Sequence, residues 1–431
     1  MLFYFFLLYI AAFFGHRKAR LLVRGQRETV QILKNSPKQK LDKWRGCVWI
    51  HAASVGEFEQ ARPIIERLRA EHPCEKIVLT FFSPSGYEMR KNYNKVDKVL
   101  YLPFATRRNA HLFISTLQPK QAIFVKYEFW PAYLRELKKQ AVPTFSISAI
   151  FRPKQLFFLP WGKPYLRLLH CFTHIYVQDQ ASLALLQAHG ISRCSVAGDT
   201  RFDRVNQLAA LPSDISEGVS IDDKQHLLIA GSTWQQDEQL LARYIDTHPD
   251  IRLLLVPHEI TDSHLHQIFQ FFHGRYMRLS ELTLNSQQSS HDNGAAPDSI
   301  GINLRPHLHE HPTPRVIVVD KMGLLSKLYR YGAVAYIGGG FGAGIHNTIE
   351  AAVYGMPVVF GPKYQHFREA KALIAAGAGF SIRNYKQLEH ALDNAFAHAD
   401  ELGQKARQYV ESELGATDKI YSELFATGDK I

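Results

Sequence analysis

The chain has 431 residues, with 51 Lys and Arg against 40 Asp and Glu, a formal charge of +11. Hydrophobic residues make up 46% and charged residues 21%, which excludes wholesale disorder and fibrous or collagen-like architecture. The length exceeds what one hydrophobic core organises, so two domains are expected. The surplus positive charge calls for nucleic acid, an anionic membrane or phosphorylated substrates.

The first element is apolar. Residues 1–15 hold fourteen apolar residues and one glycine, followed by the basic cluster Arg17, Lys18 and Arg20. A secretory signal has its charges before the apolar run and a small-residue cleavage site after it, which is not this order. Aromatic residues suit the bilayer interface, and the positive-inside rule puts the chain after Arg17 on the cytoplasmic side. Residues 1–23 therefore read as an uncleaved membrane anchor, spanning or interfacial; a helix buried in the globular core is the plainer alternative. Between residues 16 and 45 ten basic residues face two acidic ones, a surplus of +8 that leaves only +3 for the rest. Residues 24–45 are thus expected to form a basic juxtamembrane arm attracted to anionic headgroups. With so little charge left elsewhere, nucleic acid is not an expected partner.

From residue 46 short β-branched or aromatic runs alternate with helical patterns. Strands are expected at 47–52, 76–81, 121–126, 143–148 and 174–178, and again at 226–231, 251–256, 315–319, 333–338 and 357–360. Alternation of this kind predicts βαβ units on parallel sheets. A polar Pro/Ser/Gly stretch over 211–218 separates two α/β halves, a first domain over 46–212 and a second over 213–431. Two doubly wound halves leave an interdomain cleft beyond the carboxyl ends of their strands. The last helix is a candidate to pack back on the first domain. Residues 283–313 read as a flexible polar insertion, in which His307, His309 and His311 alternate without making a convincing metal site. The four cysteines, Cys47, Cys74, Cys171 and Cys194, form no CxxC pair and read as buried free thiols in a reducing compartment.

Several strand ends carry chemistry. His51-Ala52-Ala53-Ser54-Val55-Gly56-Glu57-Phe58 runs from a strand through small residues into a helix. Glu57 is there either a helix-start residue or a general base. Lys126-Tyr127-Glu128-Phe129-Trp130-Pro131 puts Glu128 at a second strand end, as a site residue or a solvated loop glutamate. Gly198-Asp199-Thr200-Arg201-Phe202-Asp203 offers Arg201 to an anion, or only to Asp199 or Asp203. In the second half Gly231-Ser232-Thr233 and Pro257-His258-Glu259 also follow strands. The segment from Gly338 to Glu350 fails the dinucleotide fingerprint but reads as a backbone nest for phosphate over Gly338, Gly339 and Gly340. Asn347 and Glu350 have capping-box spacing, and Glu350 is also placed to hold ribose hydroxyls.

These motifs, in this order and together with Met356-Pro357-Val358-Val359-Phe360-Gly361-Pro362, resemble the 3-deoxy-D-manno-octulosonic acid (Kdo) transferases of lipopolysaccharide synthesis. The resemblance implies an α/β GT-B glycosyltransferase fold and inverting transfer of Kdo from a CMP-Kdo donor to lipid IVA. It implies no metal or other cofactor, and a place on the cytoplasmic face of the bacterial inner membrane. It makes Glu57 the general base and gives Glu128 and Arg201 to transition-state stabilisation. The CMP-binding positions it implies are Pro257, His258, Met322, Gly323, Leu324, Asn347, Thr348, Ile349 and Glu350. Arg201 stands where many members have Lys, Leu324 where an acid is common, and Pro257-His258-Glu259 where many have Pro-Arg-His. Two alternatives remain: another GT-B enzyme, using a UDP-sugar or resembling a 2-epimerase, and a non-catalytic, membrane-tethered nucleotide-sugar binder.

Overall fold

The computed structural model describes residues 8, 11–12, 14–211, 224–273, 276–281 and 315–425. The chain forms two compact units, Met1–Arg204 with Glu413–Ile431, and Val205–Ser412. The boundary therefore falls within the helix Thr200–Ala210 and not at residue 212, and the chain end belongs to the first unit. The expected insertion over 283–313, with His307, His309 and His311, lies wholly outside the described residues, as does most of the 211–218 connection.

The first unit is built on seven parallel strands: β1 (Val48–Ala52), β2 (Ile77–Phe81), β3 (Lys98–Tyr101), β4 (Gln121–Val125), β5 (Thr144–Ala149), β6 (His174–Val177) and β7 (Cys194–Val196), in the order β3-β2-β1-β4-β5-β6-β7. The central strands are buried along their whole length, as a sheet covered by helices on both faces requires. One face packs around Trp49, whose ring lies 4.8 Å from Phe113 and 5.1 Å from Phe124. The other packs Phe58, Ile64 and Ile65 of the helix Val55–Glu71 with Ile420, Tyr421 and Leu424. Those last three come from the helix Ala416–Phe425, so the final helix does pack back on the first unit.

The amino-terminal region differs from the expected anchor and arm. Residues 1–7, 9, 10 and 13 lie outside the described residues, and among the described ones no helix is long and apolar enough to cross a membrane. Arg17–Asn35 is a single helix whose Ala19, Leu22, Val23, Gln26, Thr29 and Leu33 are buried against the first unit. It turns Arg17, Lys18, Arg20, Arg24, Arg27 and Lys34 outward. The basic residues from Arg17 to Lys34 therefore lie on one face of a docked amphipathic helix, which also takes in Arg17 to Val23 of the expected anchor.

The second unit holds β8 (Leu227–Thr233), β9 (Arg252–Pro257), β10 (Tyr276–Arg278), β11 (Val316–Val318), β12 (Val334–Ile337), β13 (Val358–Phe360) and β14 (Gly379–Ser381), in the order β10-β11-β9-β8-β12-β13-β14. Every pairing is parallel. Among the cysteines, Cys47 and Cys194 are buried, Cys171 is half-buried and Cys74 is exposed, all as free thiols. Cys74 departs from the expected burial because it lies in the short loop between the helix Val55–Glu71 and β2.

Candidate active site

In a doubly wound sheet, ligands bind beyond the carboxyl ends of the strands where strand order reverses. In the first sheet that point lies between β1 and β4. Glu57 follows β1 and Glu128 follows β4, so the topology brings together two glutamates far apart in sequence.

Ser54 caps the helix Val55–Glu71, its hydroxyl accepting from the Glu57 amide at 3.4 Å, while Glu57 Oε2 accepts from the Ala53 amide at 2.6 Å. Glu57 thus does serve the helix start. It is also pushed up to about 7, by burial first and by the negative charge of Glu128 second. Both effects disfavour the ionised form, and they set a carboxyl that exchanges its proton near neutral pH.

Glu128 is clamped. Its Oε2 lies 3.0 Å from His51 Nε2 and accepts from Trp130 Nε1 at 2.5 Å. His51 is fully buried on β1 with Nδ1 2.9 Å from Thr80 Oγ1, and Trp49 Nε1 donates to the same hydroxyl at 2.9 Å. The His51 ring thus bridges Thr80 and Glu128. His51 and Trp130 are functional neighbours that residue-type reasoning passes over, although both lie inside motifs it singles out.

Arg201 chooses Asp199 over Asp203. Its Nε and Nη2 donate to Asp199 Oδ2 at 2.9 and 2.8 Å, while Asp203 accepts from the Gly415 and Thr417 amides. Burial opposes the charge on Asp199, but the Arg201 guanidinium and a Gln60 amide at 3.0 Å hold its carboxyl below the usual range. The hydroxyl of Tyr127, raised mainly by burial, feels the charges of Arg152, Glu57, Asp179 and Arg201. These groups therefore share one electrostatic neighbourhood.

In the second unit, Pro257 ends β9 and His258 follows it, Met322 to Leu324 follow β11, and Gly338 to Glu350 follow β12. All three loops lie at the same carboxyl edge of the sheet. His258 stacks on Trp234 at 4.7 Å and packs against His346 at 4.5 Å. Burial, then the neighbouring His258, lower His346 to about 4. Trp234 and His346 are further residues with no signal beyond their position after strands.

The glycine loop is not the nest its composition suggests. The Gly338 amide donates to Gly231 O at 2.9 Å, and the Gly339 amide to the buried Asp237 carboxylate at 3.0 Å, so both are committed. A Cβ on Gly338 would stand 2.3 Å from Ser232 O, and one on Gly340 2.6 Å from the Gly361 Cα. These glycines allow main chains to touch; Gly338 and Gly339 do not present free amides to a phosphate. Asn347 Nδ2 donates to Glu350 Oε1 at 2.9 Å, and its Oδ1 accepts from the Ile349 amide at 3.1 Å. Thr348 and Ile349 are fully buried, leaving only their main chain to meet a ligand. Met322 is 73% exposed and Gly323 has φ +84°.

Two doubly wound parallel sheets of seven strands each have the architecture of a GT-B α/β fold. The putative UDP-N-acetylglucosamine 2-epimerase from Listeria monocytogenes has a similar fold, with a TM-score of 0.58 at 12% identity, covering 89% of this chain and 96% of that one. A sequence-family model described as 3-deoxy-D-manno-octulosonic-acid transferase (kdotransferase) matches residues 24–204, almost the whole amino-terminal part of the first unit. The 3-deoxy-D-manno-octulosonic acid transferase of Aquifex aeolicus is 26% identical over 82% of this chain and 86% of its own length. That of Haemophilus influenzae is 24% identical over 86% and 85%. Over most of its length the chain is thus similar to Kdo transferases.

Proposed function

We propose that this protein is an inverting glycosyltransferase that moves Kdo from CMP-Kdo onto lipid IVA, a phosphorylated lipid A precursor, in lipopolysaccharide biosynthesis. The observation that carries this reading is Glu57. It is a half-buried carboxyl pushed up to about 7 and held at the strand-order reversal beside a clamped second carboxylate. A base with that affinity for protons is matched to the deprotonation of a sugar hydroxyl near neutral pH.

In this mechanism the acceptor hydroxyl gives its proton to Glu57 and its oxygen attacks the anomeric carbon of Kdo. The bond from that carbon to the CMP phosphate oxygen breaks, the electron pair leaves with CMP, and the configuration inverts. Glu128, fixed by His51 and Trp130, and Arg201, fixed by Asp199, stabilise charge as it develops. No metal takes part in the proposed route. In the second unit Pro257, His258, Met322 to Leu324 and the main chain at Thr348 and Ile349 hold CMP. Glu350, oriented by Asn347, takes the ribose hydroxyls. The outward basic face of the helix Arg17–Asn35, following the apolar residues 1–15, suits the anionic cytoplasmic face of a bacterial inner membrane.

Incubation with CMP-Kdo and lipid IVA, read by mass spectrometry of the lipid, tests the reaction and counts the residues added; an unchanged lipid mass would sink it. Glu57→Ala is expected to lower transfer by about 10²–10⁴-fold, with CMP binding by calorimetry retained. Near-normal turnover would remove Glu57 from the base role.

A further inference from the structure

The first unit carries another concavity that this chemistry leaves unused. It has a volume of about 930 Å³ and lies between the helices Arg107–Leu117 and Pro131–Lys139. Arg107, Arg108, His111, Arg135 and Lys139 line it, with Glu136 as the acid among them. Glu136 is already taken, accepting from His111 Nδ1 at 2.9 Å and Gln140 Nε2 at 2.7 Å. Among the described residues, Arg107, Arg108 and Arg135 form no salt bridge and no hydrogen bond. Other arginines of the same unit find carboxylates, Arg62 with Glu66, Arg67 with Glu71 and Arg69 with Asp97. Like charges gathered around one concavity repel each other until an anion enters. Guanidinium forks match the oxygens of a phosphate in particular.

The position of the concavity narrows the ligand further. Ala105 and Pro131 form part of its wall. Pro131 follows Trp130, whose indole donates to Glu128 and whose side chain packs against the cluster of Val23 and Phe104. The same tryptophan thus joins the carboxylate clamp, the wall of the concavity and the amino-terminal helical region.

We propose that this concavity binds a phosphate monoester of the acceptor, so that Arg107, Arg108 and Arg135 hold the headgroup while its hydroxyl is offered to Glu57. The inference rests on the acceptor being a phosphorylated glycolipid, and its test separates the two. Full-length protein is titrated calorimetrically with deacylated lipid IVA, with the same headgroup after phosphatase treatment, and with inorganic phosphate. The double variant Arg107→Gln/Arg108→Gln and the single variant Arg135→Gln are each expected to weaken binding of the phosphorylated headgroup by about 10-fold or more. Both should keep the wild-type melting temperature and raise KM for lipid IVA with kcat intact. Lys154→Gln, the same charge change as Arg135→Gln but on an exposed loop, should leave headgroup binding and KM unchanged. Equal binding before and after phosphatase treatment would overturn the proposal, as would arginine variants that bind like the wild type. Inorganic phosphate that binds without displacing the headgroup would overturn the acceptor assignment. If CMP-Kdo supports no transfer, arginine-dependent binding of the phosphorylated headgroup still upholds the concavity, and its absence still removes it.

Discussion

Glu57 has a structural and a chemical duty, and pH separates them. A base must be ionised, so transfer is expected to rise with pH through about 7, falling roughly tenfold per unit below it. The stability effect has the opposite sense. The folded carboxyl holds its proton more tightly than the unfolded chain does, so its contribution is full below the ordinary glutamate range and is lost as pH rises through about 7. Glu57→Gln removes that loss while keeping an acceptor for the Ala53 amide. The variant should gain on the order of 1–3 kcal/mol over the wild type at pH 8 and little at pH 4, read from urea unfolding at both values. Asp199 has the reverse sign, since its depressed carboxyl stabilises the fold at neutral pH and stops doing so on acidification. Glu57, Glu128 and Arg201 are all legible as polar residues at strand ends. Their partners are not, because nothing local says that β1 and β4 are neighbours. His51, in the middle of an apolar strand, reads as core until Glu128 arrives from 77 residues away.

The helix Arg17–Asn35 is held by shape as much as by apolar contact. A Cβ on Gly25 would stand 2.2 Å from Tyr101 Cε2, and that ring is itself stacked on Tyr87 at 4.1 Å. Gly25→Val is therefore expected to cost about 1–3 kcal/mol through overpacking. A lowered melting temperature and new proteolytic cleavage within 17–35 would show it; an unchanged melting temperature would mean that Tyr101 gives way. The helix is harder to read than its charge because the buried stripe includes Gln26 and Thr29 as well as Leu22 and Leu33, so polarity conceals the spacing. Strands show a related limit. The ten expected strands all form, and the four others, β3, β7, β10 and β14, are the edges of the two sheets. Each edge strand is three or four residues long. With one neighbour each, they need neither the length nor the continuous apolar run that marks a central strand.

Across the whole chain, most of the surplus charge lies on and just after one docked helix, so the +11 total describes a face and not a general surface property. The chain also leaves its first unit at residue 204 and re-enters it at 413. The returning helix brings Ile420, Tyr421 and Leu424 against the helix that carries Glu57, and Arg67 lies 4.2 Å over the Tyr421 ring. Burying side chains of this kind is worth about 1.5–3 kcal/mol each, together a large share of a domain's usual stability. Deleting residues 413–431 should therefore lower the melting temperature sharply and abolish transfer, although no residue assigned to chemistry is removed; a truncated protein with full activity would contradict this packing.

That return has a consequence for synthesis. While the ribosome is still translating the second unit, the helix bearing the base has no finished core to lie on. The first half of the enzyme to be made is the last to be completed. A chain stopped anywhere before its final helix is thus expected to carry every residue assigned to the base site, yet lack the packing that would hold Glu57 in place.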